Sequence, residues 1–258
     1  MPPAATGTPP TPPFAARHPW DRSFVLCLLA FAWLGILMGF GGSIAQHLSS
    51  RGAPYPLIVH VHAVIFVGWL VLFTVQVFLI RARRTDTHRR LGFAMAFLAA
   101  LMAVVGPVTA LAVQHLHRAD PGSDPAFLSV QLTDILAFAG LVAAGLFLRQ
   151  APAAHRRLML LGTLYITDAG FARWWADGLL HVFGTAGGGM WIALYAGPNL
   201  AYLAMGAYDL MTRRRLHPAF VLAGLWMLAV QAAALLLYGS PAWLALARRI
   251  IAAWPGGA

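Results

Sequence analysis

The 258-residue chain has no lysine, and its single cysteine is Cys27. The missing lysine excludes a retinal Schiff base, which is built on a lysine amine. A lone cysteine in an apolar run cannot close an internal disulfide. Charge is scarce too: 10% of the residues are charged and 60% hydrophobic, with mean hydropathy +0.71. A soluble domain needs far more charged surface. The composition points to an all-α, polytopic membrane protein with room for about seven spans and no separate soluble domain.

The formal net charge is +10, but the arginines are not spread like a nucleic-acid footprint. They sit in loops between seven apolar segments, roughly 23–46, 57–80, 91–114, 128–148, 158–181, 190–211 and 219–238. "RARRTDTHRR" (81–90), "RQAPAAHRR" (149–157) and "TRRRLHP" (212–218) are Arg-rich, whereas 49–56, 115–127 and 184–189 are Gly/Pro/Ser-rich and poor in arginine. Arginine therefore alternates with each crossing. The rule that basic loops stay inside predicts a cytoplasmic N-terminus and an outer C-terminus in a bacterial inner membrane.

Residues 1–22 are Pro-rich and read as a disordered cytoplasmic tail rather than a signal peptide. Residues 23–238 form the bundle. Residues 239–258, with Trp243, Trp254, Arg248 and Arg249, read as a short amphipathic tail on the outer surface.

Polar residues inside the spans carry the functional interest. His62, Trp69 and Gln76 are spaced by seven and share one helical face. His60, two residues from His62, points elsewhere. The fifth segment contains Asp168 near mid-bilayer, with Arg173 the basic residue best placed to reach it. Arg173, Asp177 and His181 recur at i, i+4 and i+8. Gln131 and Asp134 lie in the fourth segment, Asn199 beside Pro198 in the sixth, and Gln231 in the seventh. Asp209, four residues before Arg213, reads as a surface ion pair. The expectation is a polar cavity opening outward, lined by Trp69, Gln76, Gln131, Asp134, Asp168, Arg173 and Asn199.

The stretches "HAVIFVGWLVLFTVQVFLIRARRTDTHRRLG", "LSVQLTDILAFAGL", "HRRLMLLGTLYITDAGFARWW" and "AYDLMTRRRLHPAF" resemble a large set of uncharacterised bacterial seven-helix inner-membrane proteins, from Trp20 to Trp243. That resemblance implies the architecture and no activity. Membrane b-type cytochromes hold haem between histidines on facing helices. Here His62 would need His47, His115, His117 or His181 at the outer edge as its partner. Seven-helix zinc hydrolases carry a histidine pair on the last helix, and this seventh segment has none.

Three functions are compatible with these residues. One binds a metal or haem, with His62, His115 or His181 as ligands to haem, or His62, Asp134 and Asp168 as ligands to a metal such as zinc. A second is proton-coupled transport of a small molecule on Asp134 and Asp168. The third is an accessory subunit of a membrane complex, whose polar residues join helices. The partners expected are the lipid bilayer and fellow subunits, not nucleic acid.

Overall fold

The computed structural model describes residues 14–15, 17–49 and 55–255. Most of the expected disordered tail, residues 1–13 and 16, lies outside the described residues. Within them the chain is all-helical and has no strand. The helices are α1 (Asp21–Ser49), α2 (Leu57–Arg81), α3 (Thr85–Leu116), α4 (Leu128–Phe147), α5 (Pro152–Tyr165), α6 (Asp168–Phe183), α7 (Gly188–Arg213), α8 (Pro218–Tyr238) and α9 (Pro241–Ala253). A single 3-10 turn, Pro125–Phe127, leads into α4.

Five helices are long and apolar enough to cross a membrane: α1, α2, α3, α4 with its leading turn, and α8. With no water to satisfy them, backbone groups in hydrocarbon must pair within the segment, so long apolar runs become helices. The expected fifth segment differs. It is two helices of 14 and 16 residues, each too short to span alone. The break falls at Ile166–Thr167, where polar side chains serve the backbone locally. The Thr167 hydroxyl donates to the Leu164 carbonyl at 2.7 Å, and the Asp168 carboxylate accepts the Ala169 N–H at 2.6 Å. Among the described helices, α7 has the length of a span, but Pro198 and Asn199 interrupt its apolar run.

The helix ends sort into two layers. At one end, Arg81 donates to the Arg22 carbonyl at 3.0 Å, Gln76 to the His88 carbonyl at 3.2 Å, and His155 Nδ1 lies 2.7 Å from the Gly145 carbonyl oxygen. This end therefore joins the start of α1, the α2–α3 elbow and the α4–α5 elbow. At the other, His115 meets the Ile251 carbonyl at 2.7 Å, Tyr238 donates to Asp124 at 2.8 Å, and Trp243 to the Ala126 carbonyl at 3.0 Å. There α9 packs Ala247 and Ile251 against Ala110 and Leu128. The amphipathic tail is thus a docked helix.

α5 and α6 continue in one direction and run parallel to α1, so Asp21 meets Arg156 while Gly35 meets Gly170. Gly35 and Gly39 are spaced to let helix backbones touch. A Cβ on Gly170 would stand 2.5 Å from the Gly35 carbonyl oxygen. The centre is filled by α4 and α5, with Phe138, Tyr165, Phe171 and Tyr195 wholly buried. Trp69 packs edge-on against Phe138, with ring centroids 5.1 Å apart.

The Arg-rich end is a network rather than a set of free anchors. Arg157 is buried and grips Asp209 with two hydrogen bonds, Nε to Oδ2 at 2.7 Å and Nη2 to Oδ1. The expected surface pair is therefore corrected. Arg213 does reach Asp209, at 3.4 Å, but Asp209 has no exposed surface and α5 supplies its main partner. An arginine fork satisfies both carboxylate oxygens, which lets the pair sit out of water. Asp21 is held by Arg213 at 2.8 Å, Arg156 at 2.9 Å and the Tyr208 hydroxyl at 2.8 Å. Phe14 lies beneath the guanidinium of Arg157, 4.7 Å from its ring centroid, and meets His217 edge-on at 4.8 Å. Burial, and then the charge of Arg157, hold His217 below the usual histidine value.

Candidate functional site

The α5–α6 break places Asp168 on the first turn of a half-helix, inside the bundle and 4% exposed. Asp134 comes from α4. The two carboxyls are near enough to act on each other directly, and the Tyr195 hydroxyl stands beside Asp134. The rings of Tyr165 and Tyr195 are 6.2 Å apart. Hydrogen bonding here is incomplete. Asp134 Oδ1 and the hydroxyls of Tyr165 and Tyr195 are buried with no partner of good geometry. Buried polar groups are ordinarily paired, so three such atoms in one region set this place apart from the rest of the bundle.

Arg173 is within electrostatic range of both Asp168 and His62. Its own hydrogen bond runs to the Ala169 carbonyl at 2.9 Å, and its guanidinium lies 4.6 Å above the Phe40 ring. Asp168 thus has a positive neighbour without a direct ion pair. His62 stacks on Phe66 at 3.9 Å, and its Nδ1 is buried without a partner. His60 is exposed and faces the Pro56 carbonyl at 3.3 Å.

The remaining residues expected in one cavity fall into separate contacts. Trp69 donates to Thr163 at 3.3 Å, tying α2 to α5. Gln76 lies at the Arg-rich end on the His88 carbonyl. Gln131 accepts from Gln114 at 3.3 Å, near the opposite end. Asn199 and Gln231 exchange bonds of 3.0 and 3.3 Å, and Trp191 donates to Gln231 at 2.8 Å. Gln231 also approaches the Tyr165 hydroxyl, linking this group to the carboxyl pair.

The three-residue ligand set expected for zinc does not assemble. Among the described residues, no three His, Cys, Asp or Glu side chains form a group able to hold a metal ion. That applies to His62 with Asp134 and Asp168. His115 is engaged by Ile251, and His181 is exposed on the last turn of α6. The described contacts bring neither to His62.

Sequence reading missed Tyr165 and Tyr195. Their signal was available: Tyr195 interrupts an apolar run inside α7, and Tyr165, the last residue of α5, stands in the middle of the 158–181 segment rather than at the interfaces, where membrane tyrosines gather. Comparison with protein-family models, curated proteins and solved structures finds no match to this chain.

Proposed function

We propose that this chain is a seven-crossing inner-membrane protein that uses the Asp134–Asp168 pair to take up and release a proton, coupled to passage of a small molecule. The several apolar helices already fit an integral membrane protein. Counting α5 with α6 as one interrupted crossing and α7 as another gives seven. Three basic elbows at one end favour a cytoplasmic N-terminus.

The observation carrying the proposal is the meeting of the buried Asp168 carboxyl with that of half-buried Asp134, whose Oδ1 is shut off from solvent, with no described cation hydrogen-bonded to either. Two negative charges that close repel strongly away from water, and a single shared proton relieves that repulsion. The broken helix beneath Asp168 belongs to the same reading. Half-helices with free termini at mid-membrane are a common way to build an ion site.

A second reading, an accessory subunit, is favoured by the Asn199–Gln231 exchange, which is complete between α7 and α8 and needs no ligand. Infrared spectroscopy of the reconstituted protein separates the two. At neutral pH the parent is expected to show the carbonyl stretch of a protonated carboxylic acid. Asp134→Asn and Asp168→Asn should each remove it. Identical spectra in parent and variants would reject a shared proton and leave the accessory reading.

A further inference from the structure

A cleft of about 590 Å³ lies between α4, α5 and α8, on the half of the bundle nearest the arginines. Small side chains hollow it out: Gly140 and Ala144 on α4, Ala154 on α5, and Ala219 and Ala223 on α8. Trp226 closes its deep end. Its ring packs so tightly on Gly140 that a Cβ there would come within 2.9 Å, and its Nε1 reaches the Ala137 carbonyl at 3.4 Å. From Pro218 to Trp226 the slot runs about 12 Å along α8. Leu222 on its wall is 66% exposed, so the cleft opens sideways onto the surface that lipid would cover.

The shallow end has a different chemistry. Leu148 and Ala151 form the rim on the α4–α5 elbow. Arg149, between them, is exposed, with one nitrogen 3.3 Å from the Leu146 carbonyl. His217 forms the rim on the α8 side. Its Nδ1 accepts the Ala219 N–H at 3.1 Å, which leaves the ring proton on Nε2 as a donor. Arg215 lies one ring away, 5.5 Å over Phe14, which abuts His217. The neighbouring carboxylates, Asp21 and Asp209, are already in ion pairs. The rim is therefore a set of donors with positive charge to spare.

An apolar slot open to the bilayer, with a basic rim at headgroup depth, is complementary to one kind of molecule. We propose that the cleft binds one acyl chain of an anionic phospholipid, with Arg149, Arg215 and His217 holding its phosphate. The site is independent of the carboxyl pair, and its failure would leave that proposal standing.

The test uses the full chain reconstituted with equal phosphatidylglycerol and phosphatidylcholine, then transferred to mild detergent for native mass measurement. One retained phospholipid per chain is expected, with phosphatidylglycerol preferred by about tenfold, or about 1.4 kcal/mol. Arg149→Gln with Arg215→Gln should bring that preference close to one. Ala144→Phe with Ala223→Phe should fill the slot and abolish retention. A second measurement does not depend on those variants folding. Phosphatidylglycerol brominated at mid-chain should quench the fluorescence that Trp226→Phe removes. Absence of bound lipid, equal retention of both headgroups, a different apolar molecule in the cleft, or unquenched Trp226 would each overturn the assignment.

Discussion

The two charged regions of this molecule obey opposite rules. At the Arg-rich end, Asp21 and Asp209 are shared among Arg156, Arg157 and Arg213, and every carboxylate oxygen has a donor. At the centre, Asp134 and Asp168 meet each other, and the hydroxyls of Tyr165 and Tyr195 around them lack a partner of good geometry. A completed network has one stable state and serves structure. An incomplete one changes state when a proton or ligand arrives. On the proposed function, the difference separates the residues that hold the bundle from those that would carry the proton.

The sharpest way to break this contrast is to remove one carboxylate from each region. Asp209→Ala leaves Arg157 buried and unpaired, with an expected loss of about 3–5 kcal/mol. Asp168→Asn removes a charge from a crowded pair and is expected to leave stability unchanged within about 0.5 kcal/mol. Thermal unfolding in detergent compares them directly. Equal losses would mean that the central pair is structural after all.

A smaller effect is expected at the seam linking the two regions. Gly39→Leu drives a side chain into the Gly170 backbone and should cost about 1–3 kcal/mol. Because α1 carries Asp21 at its foot, the same variant should loosen the Arg156 and Arg213 contacts, read as faster amide exchange at the start of α1. Unchanged exchange there would show that the seam and the ion pairs are independent.

The smallest effect is a pH dependence at the edge of the network. His217 has a lowered value when folded, so its stabilisation is complete above the unfolded value of about 6.5 and is lost as pH falls through the folded one. The groups facing it are Arg157, Arg213, Arg215 and Asp209. Between pH 8 and 5 the melting temperature of the parent should fall further than that of His217→Gln. Parallel curves would remove His217 from the acid response.

The sequence was legible where an effect is local. Apolar runs gave helices, and Asp168, too deep to reach an interface, announced that it needed a partner. Its actual partner, Asp134, lies on another helix. Pairing of that kind depends on helix order, which a hairpin pattern does not encode. Arg157 shows the same limit. In sequence it is one more arginine in a basic elbow, and only Asp209, 52 positions later, turns it inward. The break at Ile166–Thr167 was hidden because the apolar count across 158–181 is insensitive to one threonine bonding its own turn. The spacing of Gly35 and Gly39 was legible and went unread.

Asp21 also sets a schedule for synthesis. It is on the first turn of the first helix, yet its two arginines arrive 135 and 192 residues later. At ordinary elongation rates of about 5–20 residues per second, Asp21 waits roughly ten seconds or longer for Arg213. Until α7 emerges, α1 rests in the bilayer with its acidic foot incompletely matched. A chain halted before Arg213 would leave Asp21 with Arg156 as its one described arginine partner.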